Sequence, residues 1–64
     1  MFAVEDGMGG VWCADDSVVT AQLAEFFGKA PKLWRDRNEA EQDGRKRFGR
    51  CRVVVVDAAG VAAL

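Results

Sequence analysis

The sequence predicts a small α+β fold within a single domain spanning residues 1–64. Three observations predict it: strand-like segments around a glycine cluster, an apolar-periodic run, and four consecutive valines near the C-terminus. These patterns are typical of a β-hairpin, an amphipathic helix and a strand, in that order. A second helix is expected between the first helix and the valine-rich strand.

The N-terminal β-hairpin is predicted from two short strand-like segments. Residues 2–5 alternate, and residues 11–14 again suit a strand. The glycine-rich run 7–10 separates them and is typical of a turn longer than the two-residue type. This run does not open a helix and lacks the spacing of a dinucleotide-binding loop, so we expect no phosphate site there.

The first helix is expected near residues 17–27. Residues 15–17 offer two aspartates and a serine as N-cap candidates, and Gly28 marks the other end. Four large apolar residues share one face at 3.6-residue spacing, which predicts that this face packs into the core. They are Val19, Leu23, Phe26 and Phe27.

The second helix is expected near residues 39–48, because Asn38 and Glu41 form a capping-box pattern. Gly44 in the middle of this segment makes a helix about 1 kcal/mol less favourable than alanine would, so a long polar loop is the competing interpretation. An apolar stripe is formed by Ala40, Gly44 and Phe48. Two acid–base pairs have the favourable i, i+4 order, namely Glu41–Arg45 and Asp43–Arg47.

The C-terminal strand is predicted over residues 51–56, and residues 53–56 are apolar on both faces, as in a central strand. A turn over 57–60 and a short tail over 61–64 are expected after it. Residues 33–35, which follow Pro31, suit a short strand or an extended linker. If they pair with the C-terminal strand, the intervening helix forms a right-handed parallel crossover.

The size of the chain limits its core. A domain this small buries only about 60% of the surface that its unfolded chain exposes. Self-association or a larger partner is therefore expected from size alone. No apolar run approaches the roughly 20 residues that span a bilayer, so no membrane partner is expected.

The residue usage indicates where the protein acts. Cys13 and Cys51 are the only cysteines, too few for a structural zinc site in a chain without histidine. We expect both thiols to be free and the protein to be cytoplasmic. Ala, Val, Gly, Arg and Asp supply 38 of the 64 residues, a bias that points to GC-rich coding in a bacterium or a phage.

The charge is divided unevenly along the chain. Residues 1–28 carry five acidic and no basic side chains, whereas residues 29–64 carry nine basic and five acidic ones, so −5 and +4 give the net charge of −1. Such asymmetry steers association with a charged partner. It does not identify a reaction.

A non-enzymatic interaction protein is the function that the sequence favours, acting as inhibitor, adaptor or accessory subunit on a larger protein or ribonucleoprotein. The chain has no histidine to activate a nucleophile, and neither a catalytic site nor a cofactor is expected. The alternative is a nucleic-acid-binding protein that uses the basic segment 45–52, with Phe48 stacking on a base. A homodimer is also left open.

The predicted partner-binding residues combine one aromatic side chain with six arginines. Tryptophan is enriched in interface anchors, and the arginines that follow Trp34 or belong to the basic segment 45–52 are candidates for contact with an acidic surface. The predicted set is Trp34, Arg35, Arg37, Arg45, Arg47, Arg50 and Arg52.

Overall fold

The computed structural model of the chain describes residues 1–56 and the pair Ala62–Ala63. Within these residues it contains five strands and two helices, which confirms the α+β fold class. In chain order they are β1 (Phe2–Glu5), β2 (Gly10–Trp12), β3 (Val18–Thr20), α1 (Ala21–Phe26), α2 (Arg37–Phe48), β4 (Arg52–Val56) and β5 (Ala62–Ala63).

The strands form one antiparallel sheet in the order β3-β2-β1-β4-β5. β4 therefore lies between β1 and β5, which confirms an internal position for the valine-rich strand. In the β1–β4 register Val4 is opposite Val53, and Glu5 is opposite Arg52. Val56 is buried but Val55 is 47% exposed, so this strand is not covered fully on both faces.

The predicted N-terminal hairpin is confirmed as β1 and β2. Its loop is held by Asp6, whose carboxylate accepts hydrogen bonds from the backbone N–H groups of Met8 (2.7 Å) and Gly10 (2.9 Å). Gly7 and Gly9 have φ values of 81° and 90°, which glycine adopts without a steric penalty. The glycine cluster thus forms a turn, as predicted.

The first helix begins later than predicted, at Ala21. Residues 15–17 form a turn and do not cap the helix, and Val18–Thr20 pairs with β2 as an additional strand. The N-cap is Thr20, whose hydroxyl accepts a hydrogen bond from the Leu23 N–H at 3.2 Å. The reason is that three consecutive β-branched residues favour extended backbone and find a pairing edge on β2.

The second helix is confirmed and the polar-loop alternative is wrong, but the predicted cap is displaced. The Asp36 carboxylate accepts a hydrogen bond from the Asn38 N–H at 2.9 Å, so Asp36 is the N-cap. Of the two predicted i, i+4 ion pairs, Arg45 contacts Glu41 at 2.8 Å. Asp43 instead accepts a hydrogen bond from the indole of Trp34 at 2.8 Å.

The predicted parallel crossover is wrong. β4 pairs with β1 and β5, both antiparallel, and does not pair with residues 33–35. Trp34 forms an isolated bridge to Phe2, with two backbone hydrogen bonds of 2.8 Å. The crossover fails because β1 and β5 occupy the two pairing edges of β4.

The core lies between the sheet and α2. Its buried members are Val4, Trp12, Trp34 and Ala40, with Phe2, Phe48, Cys51 and Val53 packed against them. Ala40 and Gly44 are the buried residues of α2, so small side chains allow the helix to approach the sheet closely. The apolar stripe predicted for α2 is confirmed. The predicted turn over residues 57–60 lies outside the described residues.

Candidate partner-binding surfaces

The seven predicted partner-binding residues do not form one surface. Trp34 is only 8% exposed, and its ring packs in the core at 5.1 Å from the ring of Trp12. The other six residues, all arginines, are exposed. Four of these arginines line two clefts near the start of β4, and Arg35 and Arg47 line neither of them.

Arg47 is held against the core and contacts the acidic first half of the chain. Its guanidinium lies 4.8 Å from the Trp12 ring centre, and one of its N–H groups donates to the Asp16 carbonyl at 2.7 Å. Lys32 lies over the same ring at 4.6 Å. Such cation–π contacts stabilise a packed aromatic residue, so both cations have structural roles.

The turn between β2 and β3 concentrates the acidic charge. The pKa of the Asp15 carboxyl is held well below its usual range, mainly by the hydrogen bond from the Lys29 ammonium. Hydrogen bonds from Ser17 lower it further. The pKa of Asp16 is also lowered, mainly by the hydrogen bond from the indole N–H of Trp12 and then by Lys32. Both carboxylates are therefore ionised at neutral pH and bind cations of the same molecule.

An arginine-lined depression runs between α2 and the start of β4. It consists of two adjoining clefts with volumes of about 350 and 470 Å³, which share Cys51 and Arg52. We call it the arginine trough and define it by Arg37, Arg45, Arg50 and Arg52, with Gly7, Glu41, Gly49, Cys51 and Val53 completing the lining.

The helical part of the trough follows from sequence spacing. Arg37, Glu41 and Arg45 are spaced i, i+4, i+8, so they form one ridge on α2. That ridge lies next to the buried residues Ala40 and Gly44. The spacing was visible in the sequence, but the position of β4 beside the ridge was not.

Several cations of the second half remain available to a partner. In the described part of the chain, ion pairs are formed by Lys29, Lys32, Arg45 and Arg47. No ion pair with a described residue is formed by the other five, which are Arg35, Arg37, Lys46, Arg50 and Arg52. Three of these five belong to the arginine trough.

A second surface, which the sequence pattern does not predict, lies on α1 and on its C-cap residue Phe27. Leu23, Phe26 and Phe27 were expected in the core, but they are 45%, 80% and 59% exposed. The two phenylalanine rings contact each other edge to face, with ring centres 5.2 Å apart. We call these three residues the aromatic patch. Only Ala24 of α1 is buried.

The sequence contained one signal for this outcome. Phe26 and Phe27 are adjacent, so their side chains point about 100° apart on a helix, and a narrow contact with the sheet cannot cover both. Because Val18–Thr20 became β3, α1 has only six residues, and it meets the sheet through its small residue.

The groups that could support catalysis or metal binding are few. Cys13 is buried and Cys51 is half-buried, and both thiols are free, as predicted. Among residues 1–56, no three side chains of cysteine, aspartate or glutamate are grouped so that they could hold a metal ion. None of the helices described is both long enough and apolar enough to cross a membrane.

No protein-family model, curated protein or solved structure matches this chain. The functional argument therefore depends on the geometry of the two surfaces, the arginine trough and the aromatic patch.

Proposed function

We propose that this protein is a non-enzymatic interaction protein that docks on a larger protein, as an inhibitor, adaptor or accessory subunit. The observation that carries the proposal is the exposed aromatic patch on α1. Two phenylalanines of roughly 200 Å² each, 80% and 59% exposed, place roughly 280 Å² of aromatic surface in water. This area approaches the roughly 300–600 Å² of the largest apolar patch on a typical monomer, a patch that is often functional.

The partner that best fits the patch has an apolar groove. Leu23, Phe26 and Phe27 are spaced i, i+3, i+4, the pattern by which an amphipathic helix docks in a groove. Two copies meeting face to face would bury roughly 600 Å² in total, below the roughly 1,000 Å² that a specific interface requires. A groove that surrounds α1 would cover more of the helix than a flat two-fold contact does.

The charges near the patch favour a particular rim. Glu25 is the only charged residue of α1 and is exposed. A groove with basic residues at its rim would therefore complement it. The predicted arginines that form no ion pair with a described residue would orient the encounter through their positive charge. They are Arg35, Arg37, Arg50 and Arg52.

The experiment is affinity capture from a native lysate with three forms of the tagged protein. We expect the wild type and the control Leu33→Ser to retain the same partner, because Leu33 is 44% exposed and lies outside the patch. The double variant Phe26→Ser/Phe27→Ser should lose it. Circular dichroism establishes that each variant is folded. Equal recovery with all three forms would refute the role of the patch.

The alternative function, nucleic-acid binding through residues 45–52, is favoured by one observation. Arg45, Arg50 and Arg52 all line the trough, so part of this segment offers clustered positive charge. Phe48 is half-buried and packs edge to face against Trp12 with ring centres 5.6 Å apart, which disfavours a role in stacking on a base. Binding to DNA or RNA that weakens steeply with salt, and less steeply for Arg50→Gln, would support this alternative.

A further inference from the structure

The arginine trough offers a ligand site separate from the aromatic patch. The trough lies on α2, β4 and the loop between β1 and β2, whereas the patch lies on α1. Arg37, Arg50 and Arg52 form no ion pair with any residue that the structure describes. A ligand with negative charges would supply the partners that these guanidinium groups lack.

The lining of the trough suits an extended peptide with acidic side chains. Half-buried Cys51 and Val53 contribute apolar lining between the arginines, and Gly7 and Gly49 contribute lining without side chains. The methylene groups of a glutamate can lie against such a lining while its carboxylate reaches a guanidinium. Planar guanidinium groups bind carboxylates through paired hydrogen bonds, which favours arginine at such a site.

The trough already contains one contact of this kind. Arg45 donates to the Glu41 carboxylate at 2.8 Å, on the same wall as Arg37. Single-stranded nucleic acid, in contrast, is held by aromatic side chains that stack on bases as well as by basic grooves. None of the described residues that line the two clefts is aromatic.

We infer that the arginine trough binds a carboxylate-rich peptide segment of a partner protein. The inference goes beyond the proposed function, because it uses a different surface and does not require the aromatic patch. Each additional carboxylate would pair with one exposed arginine, and the site would discriminate acidic segments from neutral ones by charge.

The probe is a hexaglutamate peptide, titrated into the ¹⁵N-labelled full chain and followed by amide chemical shifts. We expect the shifts to concentrate in residues 37–45 and 49–53. Arg52→Gln should weaken binding about two- to fivefold, the effect of one exposed charge pair, and Arg50→Gln should act similarly. Arg35→Gln changes the net charge equally but lies outside the trough, so its affinity should match the wild type.

Three results would overturn the inference. They are the absence of any shift at low salt, an equal loss for Arg35→Gln and Arg52→Gln, and tighter binding of a thymidine oligonucleotide of similar charge. The last result would assign the trough to nucleic acid. The variant Phe26→Ser/Phe27→Ser should bind hexaglutamate like the wild type, so failure of the patch and failure of the trough are distinguishable.

Discussion

At the scale of single residues, Gly44 and Asp16 show how tertiary contacts assign roles. Gly44 has a low helix propensity, yet it lies inside α2. It is buried where the helix approaches β1 and β4. Asp16 has a φ of 68° and lies in the turn after β2. It accepts hydrogen bonds from Trp12, Lys32 and Arg47, so one turn residue connects β2 with the segment before α2 and with α2 itself.

Gly44→Ala should destabilise the protein although alanine is the better helix former. A Cβ at this position would lie 2.7 Å from the Sγ of Cys51 and 2.9 Å from a methyl carbon of Val4. Overpacking of this kind costs about 1–3 kcal/mol, more than the roughly 1 kcal/mol gained in propensity. Urea unfolding measures the difference. Gln42→Ala, exposed on the same helix, is the control and should not destabilise.

At the scale of secondary structure elements, the ends of the two helices depend on short-range hydrogen bonds that sequence patterns identify only approximately. Both helices have an N-cap that differs from the predicted one, Thr20 for α1 and Asp36 for α2. In each case a suitable side chain lies two or three residues away from the predicted cap. The backbone of the flanking segment decides which of them is used.

Asp36→Ala should reduce the free energy of unfolding by about 1 kcal/mol, because the Asn38 N–H loses its acceptor. Asn38→Ala should change it by less than about 0.5 kcal/mol, because Asn38 is an exposed residue inside the helix. Thermal or urea unfolding of the two variants measures both values. A larger effect for Asn38→Ala would show that Asn38, and not Asp36, caps α2, as the capping-box pattern predicts.

Phe26→Ser should leave stability within about 0.5 kcal/mol of the wild type, because the side chain is 80% exposed. Truncation of a buried phenylalanine to a small residue would lower the free energy of unfolding by about 3–5 kcal/mol. The control is Val4→Ala, which removes two methyl groups from a fully buried site and should cost about 2 kcal/mol. A loss for Phe26→Ser as large as that for Val4→Ala would place α1 in the core.

At the scale of the whole molecule, ion pairs join the acidic first half of the chain to the basic second half. Lys29 binds Asp15 at 2.6 Å, and Lys32 and Arg47 both approach Asp16. Three of the four ion pairs among the described residues cross between the halves, so part of the charge asymmetry is neutralised inside the fold. The uncompensated positive charge is left at the arginine trough and at Arg35 and Lys46.

Acid should destabilise the protein through Asp15 and Asp16. Their pKa values are lower in the folded chain than the ordinary 3.8, so the stability that they contribute is complete above that value. It is lost as the pH falls through the folded-state pKa values. We expect Asp16→Asn to lower the urea midpoint at pH 7, and the difference from the wild type should shrink as the pH falls below 3.8. Glu25→Gln changes an exposed residue of α1 that forms no ion pair with a described residue, so this control should match the wild type at pH 7.

The sequence by itself determined the α+β class, the N-terminal hairpin, the second helix and the valine-rich strand, because each depends on local propensity and periodicity. It also marked the arginines that line the trough. Tertiary structure alone decided that Val18–Thr20 pairs with β2, that β4 pairs with β1, and that Trp34 is buried. These outcomes depend on which strand edges and core positions are already occupied. For the same reason only the assembled fold revealed that Phe26 and Phe27, which have the periodicity of core residues, face solvent.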